Sequence, residues 1–185
     1  MFCFRELDEI RKMGILILVH FPLNRINKYD INMETSSKNS VLNELIELNN
    51  DRVAGFEKAL ADIDDSNVDL KELFQEYAAQ SRRFGQELMA LVAETAGEPQ
   101  TGNTVAGTLH RAWIDVKALF GGTDRASILS EAERGEDAIK KAYHVALTEG
   151  GLIGLAYETV NDQAKSIQKS HDTVKALRDM AKELK

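Results

Sequence analysis

The sequence predicts an all-α four-helix bundle with one additional short crossover helix, and three observations carry that prediction. Apolar residues return at alternating steps of three and four over long stretches, which marks one buried stripe per helix. Only two prolines, Pro22 and Pro99, occur in 185 residues, so long uninterrupted helices are permitted. The glycine pairs Gly121-Gly122 and Gly150-Gly151 fall between periodic stretches rather than inside them, where they stop one helix before the next begins.

The longest stripe is the last one. From Ile153 to Leu184 it passes through Ala156, Val160, Ala164, Ile167, His171, Val174, Leu177 and Ala181. A helix of that length, about 48 Å at 1.5 Å per residue, cannot bury its stripe alone and needs partners of similar length. A chain of this size with 43% apolar residues supplies them within a single domain.

Taken in order, the chain begins with a stretch unlike the rest. Residues 1–32 contain no Ala, Ser, Thr or Gln, whereas residues 33–185 contain 20 Ala. Two readings of residues 1–32 stand side by side: an extension foreign to the bundle, with Met33 the native start and 33–185 the ferritin-like domain, and a short helix from Phe4 to Val19 packed against the bundle or a neighbour. The apolar run Met13–Val19 is shorter than the roughly 20 residues a bilayer span requires. It is also a poor signal peptide, since Glu6, Asp8 and Glu9 precede the run and no small-residue cleavage site follows it.

The first long helix is expected from about Ser40 to Ile63, with the stripe Leu42, Leu45/Ile46, Asn49, Val53, Phe56, Leu60 and Ile63 and with Asn39 or Ser40 as N-cap. Asn49 is then a polar residue on an apolar line. After an Asp-rich turn, Asp69 three residues before Glu72 has the form of a capping box. The second helix carries Leu70, Leu73/Phe74, Tyr77, Ser81, Phe84, Leu88 and Leu91. Counting back from the turn puts Asn49 and Ser81 at similar depth, where they are expected to meet inside an antiparallel hairpin.

Gly97, Pro99 and Gly102 break the periodicity. A shorter amphipathic helix, Thr104 to Phe120, is expected to follow, with Trp113 as its anchor. Spanning about 25 Å, it would carry the chain along the bundle, a ferritin-like topology rather than a plain up-and-down one. The third long helix, Ala126 to Thr148, is capped by Thr123 or Asp124 and buries Ile128/Leu129, Ala132, Glu136, Ile139, Tyr143 and Ala146.

Three runs give a family resemblance: Gly107–Lys117 (GTLHRAWIDVK), Glu131–Asp137 (EAERGED) and His171-Asp172. They resemble a bacterial family of ferritin-like four-helix-bundle proteins of unknown function, over about Val41 to Asp179. The resemblance implies a ferritin-like bundle and a loose association with stress responses. It implies no reaction.

A carboxylate di-iron centre in such a bundle takes a Glu from each of two helices and a Glu-x-x-His from each of the other two. This sequence has no Glu-x-x-His; its histidines, His20, His110, His144 and His171, follow Ile17, Gly107, Lys141 and Gln168 at that spacing. What remains is Glu133-x-x-Glu136, which resembles a rubrerythrin-type Glu pair, and Gln168-x-x-His171. Glu133, Glu136 and His171 are therefore the candidate metal ligands. Two carboxylates and one imidazole suffice for one weakly held ion and not for a charge-balanced iron pair. Asn49, Ser81 and Gln168 are expected to be buried polar residues. The structural reading of the same groups is a His171 ring satisfied by a carboxylate, with Glu136 the candidate partner, and polar side chains that set helix register.

Other chemistries find no support in the sequence. No Gly-rich phosphate loop and no Gly-x-Ser-x-Gly elbow is present, so no catalytic residue is named and an enzyme is not expected. A net charge of −7 argues against nucleic acid or an anionic membrane as partner. Cys3 is the only cysteine, which excludes an internal disulfide and makes the cytoplasm the expected location. The leading expectation is a non-enzymatic, self-associating bundle, most simply a dimer, with a structural or stress-related role and no cofactor. The alternatives are a protein that binds iron or another divalent metal, or handles peroxide, at a degenerate ferritin-like site, and an adaptor that binds another protein.

Overall fold

The computed structural model describes residues 28–65, 67–95, 97–98 and 124–184. They form four α-helices: α1 (Lys28–Asp62), α2 (Val68–Glu94), α3 (Arg125–Glu149) and α4 (Gly154–Glu183). No strand occurs among the described residues. The crossover helix expected at Thr104–Phe120, with His110 and Trp113, and the short helix expected at Phe4–Val19 lie outside them.

The helices pack as two hairpins, α1 with α2 and α3 with α4. The hairpins meet through α1 against α3 and, more lightly, α2 against α4. Arg125, the first residue of α3, donates to Asn67 Oδ1 at 3.1 Å and to Asp69 Oδ1 at 2.9 Å, both at the start of α2. The 27 residues of α2 carry its far end about 40 Å away at 1.5 Å per residue. The chain therefore leaves α2 at one end of the bundle and enters α3 at the other, with α1 antiparallel to α3 and α2 antiparallel to α4.

The ends of the helices follow local chemistry. Asp124 caps α3, its carboxylate accepting from the backbone N–H of Ala126 and Ser127, the stabilisation expected of an N-cap acid. The turn into α4 needs Gly151 and Gly154, whose φ angles of 62° and 57° suit a residue without a Cβ. Two expectations are corrected. α1 starts at Lys28 rather than near Ser40, because no Gly or Pro interrupts residues 28–40, and Asn39 Oδ1 accepts instead from Thr95 Oγ1 at 2.8 Å. Helix α1 thus runs across the boundary drawn between residues 32 and 33. The capping box also does not form: Asn67 is the N-cap of α2 and makes no side-chain cap bond, while Asp69 turns to Arg125.

The core falls into two apolar clusters. One packs Leu42, Leu45, Ile46, Phe84, Leu88, Ile139, Tyr143, Val160 and Ile167 near the α3–α4 turn. The other packs Phe56, Ile63, Leu70, Phe74, Leu129 and Val174 near the α1–α2 turn. Each fully buried Leu, Ile or Phe contributes about 1.5–3 kcal/mol of transfer free energy. Between the clusters, at mid-height, every helix places a polar residue: Arg52, Ser81, Glu136, and Ser170 with His171. That layer positions the candidate site.

Candidate functional site

The centre of the polar layer is Arg52, whose side chain and that of Glu136 are each 1% exposed. The guanidinium is gripped on both sides. Its Nε and Nη2 donate to the two carboxylate oxygens of Glu136 at 2.6 and 3.0 Å. Its Nη1 donates to Ser81 Oγ at 2.8 Å, Gln80 Oε1 at 3.0 Å and the Tyr77 carbonyl at 3.3 Å. The neighbouring rings of Phe56 and Tyr77, 5.7 Å apart, lie against it with centroids 5.1 and 5.4 Å from its central carbon, so a delocalised, weakly hydrated cation rests on a pair of aromatic rings. Ser170 Oγ extends the layer to α4 by donating to Gln80 Oε1 at 3.2 Å.

One helical turn toward the α3–α4 turn lies a second chain of buried polar groups. Asn49 Nδ2 donates to the Leu45 carbonyl at 2.8 Å and to Tyr143 Oη at 2.7 Å. The Tyr143 hydroxyl donates to Gln163 Oε1 at 2.8 Å, and Gln163 Nε2 donates to Glu87 Oε2 at 2.7 Å. Burial pushes the Tyr143 phenol well above its usual range, which keeps the hydroxyl protonated as this chain requires. All four helices contribute, so the chain sets the register of one hairpin on the other.

A third group sits at the α3–α4 edge. Glu133, Asp137 and His171 offer ligand atoms that all lie within 4.8 Å of one another. Glu133 and His171 are buried and Asp137 is exposed. His171 Nε2 is 2.9 Å from Asp137 Oδ1, and His171 Nδ1 is 3.0 Å from Asp172 Oδ1. The contact with His171 holds the Asp172 carboxyl below its usual pKa; slight desolvation opposes the shift, and Gln168 assists it. Two cations border the group: Lys140 Nζ lies over the His171 ring, 3.2 Å from Nε2 and 3.5 Å from Nδ1, and Arg178 Nη1 donates to Glu133 Oε2.

The sequence-derived candidates divide accordingly. Glu133 and His171 come together, with Asp137 as the third member of their group, while both oxygens of Glu136 are taken by Arg52. His171 therefore meets Asp137, Lys140 and Asp172 rather than Glu136. Successive residues on α3 point about 100° apart, so Glu136 faces α1 while Asp137 faces α4. Asn49 and Ser81 do not pair, because the hairpin offset sets Ser81 against Arg52 and leaves Asn49 a turn deeper, against Tyr143. Gln168 is exposed, one step round the helix from buried Ile167; Gln163 is the buried glutamine.

Sequence reasoning missed Arg52 and Arg178. For Arg52 a signal existed. The strict three-four alternation Leu45, Asn49, Arg52, Phe56, Ala59, Ile63 is the buried line of α1, and the expected stripe through Val53 and Leu60 ran one residue off it.

Two grooves follow the lightly packed α2–α4 seam. One, of about 500 Å³, has Phe84, Leu91 and Leu155 on its walls and Glu87, Glu94 and Asp162 at its rim. The other, of about 400 Å³, runs beside Tyr77, Gln80, Lys169 and Thr173. No helix among the described residues is long and apolar enough to cross a membrane.

These features define a class: an all-α bundle of two hairpins whose mid-height is closed by a buried arginine–glutamate pair. Within it, the family is shown by sequence. The profile described as a domain of unknown function (DUF2383) matches residues 38–149, more than half of the chain, and the chain belongs to that family. The matched span ends with α3, so Gln163, His171 and Arg178 lie beyond it. A comparison with curated proteins gives no match.

Proposed function

We propose that the chain is a ferritin-like bundle that acts without catalysis of its own, as a self-associating structural component of a cytoplasmic stress response. The observation that carries this reading is Arg52. Proteins of ferritin-like architecture build their metal centres from carboxylates projecting into the bundle core, and here a guanidinium holds both oxygens of the central carboxylate, Glu136. A fixed positive charge in that position repels a metal cation, and the buried pair serves register in its place. The far-end re-entry of α3 supports the ferritin-like topology. Support for self-association comes from the apolar side chains at the start of α4, where Ile153, Leu155 and Tyr157 are 65%, 59% and 42% exposed, beside the groove walled by Leu91 and Leu155. The stress role rests on the family resemblance, and the lone Cys3 fits a reducing compartment.

The test combines sedimentation velocity of the full chain with oxygen and peroxide consumption after addition of ferrous iron. A concentration-dependent dimer, weakened by Leu155→Asp, with consumption no faster than that of free iron, is the expected result. Two tightly held irons per chain with accelerated consumption would overturn it. The same groove favours a second reading, a protein-binding adaptor; a chain that stays monomeric at all concentrations favours that reading over self-association.

A further inference from the structure

We propose that Glu133, Asp137 and His171 form a mononuclear site for a first-row divalent metal ion at the α3–α4 edge, separate from the core centre occupied by Arg52. The spacing is suited to it. Glu133 and Asp137 stand one turn apart on α3, His171 faces them from α4, and their ligand atoms lie within 4.8 Å of one another. Two carboxylates and an imidazole are the mixed oxygen and nitrogen donors that Zn(II), Co(II), Fe(II) and Mn(II) accept.

The His171 ring supplies the stronger argument. Its Nδ1 lies 3.0 Å from Asp172 Oδ1, and the tautomer that carries its proton there leaves the lone pair on Nε2. That lone pair is 2.9 Å from an oxygen of the Asp137 carboxylate. In that tautomer two acceptors face each other at this distance, and a second ring proton or a metal ion between them joins the two. A carboxylate behind the non-ligating nitrogen is the arrangement that orients metal-bound imidazoles.

Lys140 and Arg178 act as the cations a metal ion displaces. Arg178 can release Glu133 and still donate to Asp179 Oδ1, from Nε at 2.9 Å and Nη2 at 2.6 Å. The Lys140 side chain is 33% exposed and can turn to solvent. Binding thus exchanges one set of charge-assisted contacts for another, which makes the site weaker than one with no resident cations and sensitive to Lys140.

The test uses the full chain, freed of metal, titrated near neutral pH with Zn(II) alone by calorimetry and with Co(II) alone by visible absorption. One ion per chain is expected, with a Co(II) d–d band. Asp137→Asn, at an exposed position that leaves the fold unaffected, and His171→Ala each lower affinity at least about tenfold; circular dichroism checks that both variants fold. Lys140→Ala binds more tightly than the parent. No uptake of either ion, or uptake unchanged in Asp137→Asn and His171→Ala, overturns the site. Unchanged affinity in Lys140→Ala overturns the displacement.

Discussion

The Arg52–Glu136 pair makes the sharpest prediction about this bundle. Replacing Glu136 with Leu keeps the volume roughly constant and strands a guanidinium that is 1% exposed. Removing one partner of a buried pair costs about 3–5 kcal/mol. Arg52 keeps its bonds to Ser81, Gln80 and the Tyr77 carbonyl, which places the cost near the lower end. For a protein of this size each kcal/mol moves Tm by about 2–4 °C, so the midpoint falls by roughly 6–12 °C. Removing both charges, in the double variant Arg52→Met with Glu136→Leu, deletes the desolvation cost together with the attraction. Stability returns to within about 1 kcal/mol of the parent or exceeds it. Urea unfolding followed by circular dichroism at constant m-value supplies the three free energies. A double variant as unstable as Glu136→Leu would refute the reasoning, because the loss would then come from packing and not from an unpaired charge. A single variant within about 0.5 kcal/mol of the parent, the range of a surface substitution, would refute the burial itself.

Two further predictions concern the hydrogen-bond chain and the first turn of α2. Tyr143→Phe removes a hydroxyl that both donates to Gln163 and accepts from Asn49, and the buried groups left behind cost about 1–3 kcal/mol; an effect below about 0.5 kcal/mol in urea unfolding would show that the chain does not set register. Asp69, whose carboxyl Arg125 holds below its usual pKa against slight desolvation, contributes stability present above its unfolded pKa of about 3.9 and lost as pH falls through the lower folded value. Exposure of the pair, 35% and 60% for the two side chains, limits this to about 0.2–1 kcal/mol. Asp69→Asn therefore flattens the acid limb of the stability curve below pH about 4 and leaves a slightly less stable protein at neutral pH; an unchanged acid limb would refute the pair.

What the sequence alone determined is the part of the fold governed by local period. The stripe Leu70, Phe74, Tyr77, Ser81, Phe84, Leu88, Leu91 is buried throughout in α2, as is Leu129, Ala132, Glu136, Ile139, Tyr143, Ala146 in α3. The Asp124 cap and the glycine break before α4 were legible for the same reason: caps and helix stops are written within a few residues of where they act. Asn49, Ser81, Glu136 and His171 were recognisable as polar residues on apolar lines.

Their partners were not. Partner choice depends on the offset between helices, which a shift of one residue changes by about 1.5 Å along the axis and 100° around it. That offset gives Ser81 to Arg52 rather than to Asn49, and Asp137 rather than Glu136 to His171. Arg52 stands on the apolar line of α1, but its partners are not written there, because a charge is buried only where a carboxylate, neutral acceptors and aromatic rings converge on it. Glu136, Ser81, Gln80, Phe56 and Tyr77 come from three helices, and no interval along the chain encodes their convergence; the packing of α1 against α2 and α3 creates it.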